Sequence, residues 1–396
     1  MHSPAVKKFP VALVAWGFFG MALHIGLARF TYGVTLPTLR SDLGISYFTG
    51  GALNAIHMAG YLIGTLAVPY WVKRAGMRGL ALQAHLVVIA GAVICALAPS
   101  ETASGTALLA LGRITTGVGA GSAIVAILVN VFAAVEATQR PTVSAIVWAG
   151  MGASVVVSGL FVGWLLVPQI GWRTAFWAAA VLAALLACFA ASRAFPANPP
   201  PATAPAAFTA RDIATPRWGY LFVAYLMFGT GYIAYATFAG ARLAALNAPL
   251  GVVSGVWTLY GLTCMIGAAL TVPLVNSPRA KMFALVASLG CAAVGSLLAV
   301  ATPSFTALLA ALLVGLGLAA TPTIVSGYAR DRCSADDYPK AFAYASAAMG
   351  TGQLIGPVAA GALADAFGTA AAPLFAACAY GIGALMALMD RRNLKS

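Results

Sequence analysis

Charged residues are scarce in this 396-residue chain: they make up 8% of it, whereas hydrophobic residues make up 61%. A typical soluble domain has about 25% charged and 45–50% apolar residues, so an ordinary soluble fold is excluded. Intrinsic disorder is excluded as well, because disordered chains are poor in hydrophobic residues and rich in charge. The composition therefore predicts a polytopic membrane protein surrounded by a lipid bilayer.

Motifs for metal binding and catalysis are also missing. The six cysteines are scattered and form no Cys-x-x-Cys pair, which argues against a zinc site or a disulfide framework. The chain has no ATP-binding loop, no His-Glu-x-x-His motif and no nucleophile–base motif. We therefore expect no metal, no cofactor and no enzymatic activity. The net charge of +13 does not indicate nucleic acid, because the basic residues occur in ones and twos between apolar runs.

Long apolar runs are the dominant feature that is present. Twelve of them reach the roughly 20 residues that a membrane helix requires. They predict an all-α polytopic membrane protein with twelve transmembrane helices at about 10–38, 47–71, 79–99, 105–134, 142–168, 174–192, 217–240, 250–275, 280–301, 304–328, 340–364 and 369–389.

A proline-rich break divides these segments into two sets of six. Residues 193–216 hold six prolines and no apolar period, which is typical of a flexible linker. We therefore expect an N-terminal six-helix half at 1–192 and a C-terminal six-helix half at 217–396.

The fifth and eleventh segments resemble each other in sequence. A shift of 198 residues places Gly152 on Gly350 and Gly163 on Gly361. This spacing indicates pseudo-symmetric halves related by an axis along the membrane normal. Chance alignment of glycine- and alanine-rich helices is the alternative interpretation.

Basic residues predict the orientation in the membrane. With a cytoplasmic N-terminus, 17 of the 22 lysines and arginines lie at cytoplasmic helix ends and 3 lie on the opposite side. Cytoplasmic loops carry an excess of Lys and Arg, so we expect both termini in the cytoplasm. The remaining two arginines, Arg29 and Arg113, fall inside predicted helices.

Twelve helices in two halves, joined by a cytoplasmic loop, resemble the major facilitator superfamily. Residues 113–119 match its fourth-helix pattern Arg-x-x-x-Gly-x-Gly, whereas residues 69–78 lack the first glycine and the aspartate of its Gly-x-x-x-Asp-Arg-x-Gly-Arg loop. Segments 26–37, 228–238 and 352–357 resemble the YbfB/YjiJ-type branch of bacterial permeases. The resemblance implies the major facilitator fold, secondary transport and a bacterial inner membrane location, with Arg113 in substrate or proton coupling.

The two intramembrane arginines are the strongest candidates for substrate binding. No carboxylate lies near a predicted helix centre, and a central arginine costs about 2.5–3.5 kcal/mol to insert, so it needs a partner. A guanidinium binds carboxylates in bidentate fashion. We therefore predict that Arg29 and Arg113 bind an anionic substrate. The alternative is that either guanidinium bonds to backbone carbonyls.

Histidines are the candidate proton carriers in the same half. His24 and His57 lie near the middle of the first and second segments, and histidine titrates near physiological pH. Asn54 precedes His57 by three residues on the same helix face, so we predict that it contacts the substrate. The alternative for each histidine is an ordinary packing role.

The second half offers neutral polar groups. We predict that Tyr232, Tyr235, Trp257 and Gln353 contact the organic part of the substrate, with Gly352 and Gly356 leaving space beside the Gln353 amide. Packing in the core or at the membrane interface is the alternative for the aromatic residues.

Together these features predict a proton-coupled symporter of a small organic anion, above all a carboxylate. It would work as a monomer by rocker-switch alternating access between the halves. The alternative is a proton-driven exporter of drugs or hydrophobic metabolites, although export of cationic drugs calls for a membrane carboxylate.

Overall fold

Helices make up nearly all of the structure, a computed structural model that describes residues 10–136, 138–196, 216–271, 277–300, 305–333 and 338–390. No strand occurs within these ranges. A short helix, Val162–Leu165, accompanies twelve long ones: α1 Val11–Leu43, α2 Tyr47–Leu66, α3 Val68–Ala96, α4 Ala103–Ala134, α5 Arg140–Leu160, α6 Gly171–Ala191, α7 Pro216–Ala245, α8 Leu250–Thr271, α9 Pro278–Leu298, α10 Phe305–Arg330, α11 Tyr338–Phe367 and α12 Ala371–Met389.

Eleven helices of the described chain are long and apolar enough to cross a membrane. The remaining long helix, α2, has 20 residues and buries Asn54 and His57. It packs against α4 of its own half and α11 of the other half, which surround these polar side chains with protein. The predicted all-α membrane fold is therefore confirmed, and the polar side chains of Asn54 and His57 on α2 lie inside the protein.

Local sequence signals explain several helix ends. The hydroxyls of Ser46, Thr102 and Ser277 accept the backbone N–H three residues on, at the starts of α2, α4 and α9. Such N-caps satisfy backbone donors that have no partner within the helix. Gly44 ends α1 in the left-handed conformation, with φ of 63°, which glycine adopts without a steric penalty.

Two predicted boundaries are wrong. The basic loop predicted between 71 and 79 is mostly helical, because α3 begins at Val68 and is only interrupted by Gly76, with φ of 70°. The helix predicted at 142–168 ends at Leu160. Hydropathy indicates which residues lie in the lipid. A helix can continue beyond those residues or end before them, so the helix ends differ from the apolar segment ends.

Helix α1 contains a feature that no sequence pattern indicated. Residues Ala22–Phe30 form a π-helical stretch within it. Such stretches are rare and are frequent at functional sites. Both His24 and Arg29 lie in this stretch, so the altered turn determines where these two side chains point.

The two sets of six helices pack in the same pattern. In the first set α1 packs on α5, α2 on α4, and α3 on α4 and α6; in the second set α7 packs on α11, α8 on α10, and α9 on α10 and α12. Two glycines that are 198 residues apart also make equivalent contacts in the two sets. Gly163 faces Leu250 at the start of α8, and Gly361 faces Tyr47 at the start of α2. This repetition supports the predicted pseudo-symmetry; most of the predicted linker lies outside the described residues.

In the described part of the chain, three pairs of long helices join the two sets: α1 with α7, α2 with α11, and α5 with α8. At each pair a glycine lets two backbones meet. A β-carbon would clash with Ala236 at Gly33, with Pro357 at Gly51 and with Thr258 at Gly159. These contacts lie towards one end of the bundle, which we call the closed end. The loops between α1 and α2 (44–46), α7 and α8 (246–249) and α11 and α12 (368–370) are at this end.

A carboxylate also joins the two sets at the closed end. Asp365, in the last turn of α11, accepts the backbone N–H groups of Tyr47 and Phe48, each at 2.8 Å. These groups belong to the first turn of α2, where backbone donors lack helical partners and the helix dipole is positive. Asp365 of the second half thus caps a helix of the first half.

Replacing Asp365 by Asn should loosen the closed end. The amide keeps the size but removes the charge and one acceptor, so about 1 kcal/mol of capping energy is lost. We expect the amides of Tyr47 and Phe48 to exchange hydrogen about fivefold faster, as measured by mass spectrometry. Thr102→Ala, which removes a cap within the first half, is the control and should leave these two amides unchanged. Equal protection of α2 in Asp365→Asn and the wild type would contradict the expectation.

Candidate functional site

The nine residues predicted to bind substrate or protons are all buried. Five of them come from α1, α2 and α4 of the first set, and four come from α7, α8 and α11 of the second set. The side chains differ in how their hydrogen bonds are satisfied, and these differences separate structural groups from groups that can bind a ligand.

Arg113 is fully engaged by the protein. Its Nη1 donates to the carbonyl of Ala28 at 2.6 Å, its Nη2 to Oδ1 of Asn54 at 2.6 Å, and its Nε to the carbonyl of Leu53 at 3.4 Å. Its Cζ lies 4.3 Å from the ring centroid of Tyr32. The guanidinium thus ties α1, α2 and α4 together, in line with the alternative of carbonyl bonding.

Asn54 continues this network into the other set of helices. Its Nδ2 donates to Oγ1 of Thr237 on α7 at 2.7 Å, and the Thr237 hydroxyl donates to the carbonyl of Ile233 at 2.6 Å. Asn54, predicted as a substrate contact, therefore links Arg113 to the second set. Thr237 was not predicted, because a threonine in an apolar helix carries no distinguishing sequence signal.

Arg29 is in the opposite situation. Its Nε and Nη2 are buried, and among the described residues neither has a hydrogen-bond partner. Its Cζ lies 5.3 Å from the ring centroid of Tyr232 on α7, so the guanidinium reaches the boundary between the two sets. Tyr61 and His57 of α2 lie within electrostatic range of it. A cationic group without a protein acceptor is poised to take an acceptor from a ligand.

The histidines also differ. Nδ1 of His57 lies 3.2 Å from the carbonyl of Arg113 and 3.2 Å from Oγ1 of Thr116. Both ring nitrogens of His24 are buried and have no hydrogen-bond partner in the described part of the chain, and its ring lies 5.1 Å from that of His85 on α3. His85 donates from Nδ1 to the carbonyl of Ala81 at 2.5 Å, while its Nε2 has no partner among the same residues. The sequence had not singled out His85 as a neighbour of His24.

Aromatic rings of both sets meet next to Arg29. The ring of Phe30, the residue that follows Arg29, lies 6.5 Å from Tyr232 and 6.0 Å from Tyr260. Tyr260 in turn lies 5.9 Å from Tyr235 and 6.1 Å from Trp257. Phe30 therefore connects Tyr232 with Tyr235, Tyr260 and Trp257, and we call these five rings the aromatic wall. Sequence reasoning missed Phe30 because phenylalanine is common in apolar helices.

Gln353 is buried on α11, but the space expected beside it is filled. A β-carbon on Gly352 would clash with Leu226, and one on Gly356 would clash with Thr230. Both neighbours belong to α7. The flanking glycines therefore serve close packing of α11 on α7, and the expectation of open space at these glycines is wrong. Contact between Gln353 and a substrate stays a prediction.

Two repeated six-helix sets that enclose a buried polar layer define a class of protein: the transporters of the major facilitator superfamily. Residues 21–389 match the family model described as "Uncharacterised MFS-type transporter YbfB". The chain belongs to this family, and it is a membrane transporter rather than an enzyme.

Curated relatives match parts of the chain. A chloramphenicol resistance protein of Streptomyces lividans is 31% identical over 180 residues, which is 44% of this chain and 43% of that protein. An uncharacterised MFS-type transporter of Mycobacterium tuberculosis is 28% identical over 142 residues, which is 36% of this chain and 20% of that protein. The matched stretches thus span less than half of either relative.

Solved structures with the same fold cover nearly the whole chain. A mutant form of the nucleoside transporter NupG superimposes with a TM-score of 0.80 at 13% identity, covering 98% of this chain and all of that one. A bacterial homologue of the human lysosomal transporter Spinster, inward-facing and unoccupied, gives 0.76 at 15% identity and covers 99% of both chains. At these identities the likeness establishes the fold alone.

The two buried arginines should differ in their effect on stability. Arg113→Ala leaves two carbonyls and the Asn54 amide oxygen unpaired, so we expect the free energy of unfolding to fall by about 3 kcal/mol. Arg29→Ala removes donors that have no partner and should change it by less than about 1 kcal/mol. Reversible unfolding in detergent micelles measures both. A larger loss for Arg29→Ala than for Arg113→Ala would contradict the assignment of Arg113 as the structural arginine.

Proposed function

We propose that this transporter carries a small organic anion, and that Arg29 binds the anionic group at the boundary between the two six-helix sets. The observation that supports this most is the pair of buried, unpartnered donors on Arg29, beside a second buried arginine whose donors are filled. Nε and Nη2 form one edge of the guanidinium. A carboxylate or sulfonate accepts both hydrogen bonds from that edge in bidentate fashion.

The carboxylates of the described residues are engaged or exposed away from Arg29. Three carboxylates near helix ends form ion pairs, each with a partner in its own half of the chain: Asp42 with Arg173, Asp331 with Lys281, and Asp390 with Arg332. Asp365 caps α2, while Glu101 and Glu136 are exposed next to helix ends. No carboxylate of the described residues is thus left to neutralise Arg29, which favours an anionic substrate as its counter-ion.

In the proposed alternating-access cycle, the substrate reaches the site when one end of the bundle opens. With both termini in the cytoplasm, the closed end faces the outside of the inner membrane. Opening that end requires separation of Asp365 from α2 and of Asn54 from Thr237. Because Arg29 and Tyr232 lie on opposite sides of the boundary, an anion bound between them senses this movement.

The coupling proton is proposed to bind His24. Within the described ranges its two ring nitrogens have no partner, and the titratable groups that face it there are His85 of α3 and His57 of α2. His57 already directs Nδ1 at two oxygen atoms, so the role of His57 in this scheme is to hold α2 against α4.

Export of a neutral aromatic compound is the second candidate function. The Streptomyces relative, which is named for chloramphenicol resistance, favours it over uptake. The aromatic wall next to Arg29 suits such a compound as well as the organic part of an anion.

Thermal stabilisation of the purified protein separates the two candidates. We expect carboxylates and sulfonates at about 100 times their dissociation constant to stabilise the wild type by about 2.7 kcal/mol. Arg29→Ala should weaken their binding about 100-fold, and Arg29→Lys should weaken it less, because lysine keeps the charge but loses the bidentate edge. Arg74→Ala, at an exposed position, is the control. If chloramphenicol or neutral lipophiles stabilise the wild type and Arg29→Ala equally, the exporter candidate replaces the anion transporter.

Proton movement should depend on His24. In proteoliposomes, addition of a bound anion should drive proton uptake in the wild type, measured with an internal pH dye. His24→Gln should abolish the proton signal while leaving anion counterflow within about twofold, because exchange needs no net proton movement. His57→Gln should keep the proton signal. Normal proton uptake in His24→Gln, or its loss only in His57→Gln, would overturn the assignment.

A further inference from the structure

A second group of unpartnered donors lies in the other set of helices. Nε1 of Trp257 and the hydroxyl of Tyr260 on α8, together with the hydroxyl of Tyr380 on α12, are buried without a hydrogen-bond partner among the described residues. Indole N–H and phenol O–H groups find a partner when they are buried in a finished core. Three such groups together indicate a surface that is completed by something other than the protein.

These donors converge on one region. The rings of Trp257 and Tyr260 lie 6.1 Å apart. On α7, the ring of Tyr235 lies 5.9 Å from that of Tyr260, and the ring of Phe228 lies 6.4 Å from that of Tyr380. The region is thus formed by α7, α8 and α12, and its three open donors are hydroxyl and indole groups.

Aromatic faces connect this region to Arg29. Tyr232 receives Arg29 over its ring at 5.3 Å, and Phe30 lies against both Tyr232 and Tyr260, at 6.5 Å and 6.0 Å. The ring of Phe30 thus connects Tyr232, which faces Arg29, with Tyr260 and its neighbour Trp257.

Charged residues are few on the helices that carry these donors. Helices α8 and α12 contain no Lys, Arg, His, Asp or Glu in their described residues, and the arginines of α7, Arg217 and Arg242, lie in its first and last turns. A second anionic group placed there would remain uncompensated in a low-dielectric interior, which is costly. An uncharged acceptor, such as a carbonyl or nitro oxygen, would instead satisfy the donors that the protein leaves open.

We propose that the substrate is an aromatic acid with two polar ends. Its anionic group binds Arg29, its ring lies against Phe30 and Tyr232, and an uncharged acceptor at the opposite end of the ring accepts hydrogen bonds from Trp257, Tyr260 and Tyr380. This rests on the proposed function, which it narrows from organic anions to aromatic acids with a remote neutral acceptor.

A matched set of probes tests this substrate class. The binding of 4-acetylbenzoate, which has a remote carbonyl, is compared with that of 4-isopropenylbenzoate, which has the same shape without the acceptor. Terephthalate supplies a second charge, and cyclohexanecarboxylate lacks the ring. Affinities are measured by thermal stabilisation and by isothermal titration on the full chain in detergent.

In the wild type we expect 4-acetylbenzoate to bind about tenfold more tightly than its isopropenyl isostere, and both to bind more tightly than terephthalate and cyclohexanecarboxylate. Trp257→Phe, Tyr260→Phe and Tyr380→Phe should reduce the tenfold preference towards unity. Tyr260→Phe and Tyr380→Phe, which remove only a hydroxyl, should leave the affinity for 4-isopropenylbenzoate within about twofold. Tyr70→Phe, at an exposed position outside the site, should keep the preference. Arg29→Ala should weaken both aromatic acids alike.

The outcomes separate this inference from the proposed function. If the aromatic acids bind and depend on Arg29 but the acetyl group gains nothing, ordered water satisfies the three donors and the inference fails alone. The same holds if the preference survives in all three aromatic variants. If no acid in the set is bound, or if binding ignores Arg29, the inference and the anion-transporter proposal fail together.

Discussion

The cost of holding a guanidinium inside a bilayer is the constraint on which the polar layer of this protein depends. Such a charge costs about 2.5–3.5 kcal/mol even on insertion scales, so it must be given acceptors. Arg113 receives them from α1 and α2. One of these acceptors, Asn54, also donates to Thr237 across the boundary. The buried charge of Arg113 thus holds three helices of the first set together. Through Asn54 it also positions the hydrogen bond to the second set.

The π-helical stretch of α1 connects the two arginines. Its residue Ala28 provides a carbonyl to Arg113, and the next residue is Arg29, whose Nε and Nη2 remain open. In a regular α-helix each carbonyl accepts the N–H group four residues on, so the Ala28 carbonyl would be occupied within the helix. The different turn of a regular helix would also place Arg29 on another face. The irregular turn therefore satisfies one charge with protein and presents the other to the boundary between the sets.

The fold could be predicted from sequence because its main determinant, the length of apolar runs, is local along the chain. The candidate site could be predicted only in part. Arg29 and Arg113 look alike in sequence, and only their neighbours in space distinguish a filled guanidinium from an open one. Phe30, Thr237 and Tyr380 were missed because neutral residues are ordinary in membrane helices. The π-helical stretch has no pattern of its own, since its hydrogen bonds depend on packing.

Glycine packing at the closed end is the main contact that the proposed alternating access would have to break. Backbones that meet at Gly33 and Gly51 gain dispersion contacts. Within the described residues, the hydrogen bonds between the sets come from Asp365, from Asn54 and from the Ser254 hydroxyl, which donates to the carbonyl of Gly159. Each such hydrogen bond contributes about 1 kcal/mol to holding the sets together. A ligand shifts the equilibrium between closed and open arrangements only by its difference in affinity for the two. Under the proposed function, an anion held by Arg29 against rings of the opposite set would acquire that difference when the boundary moves.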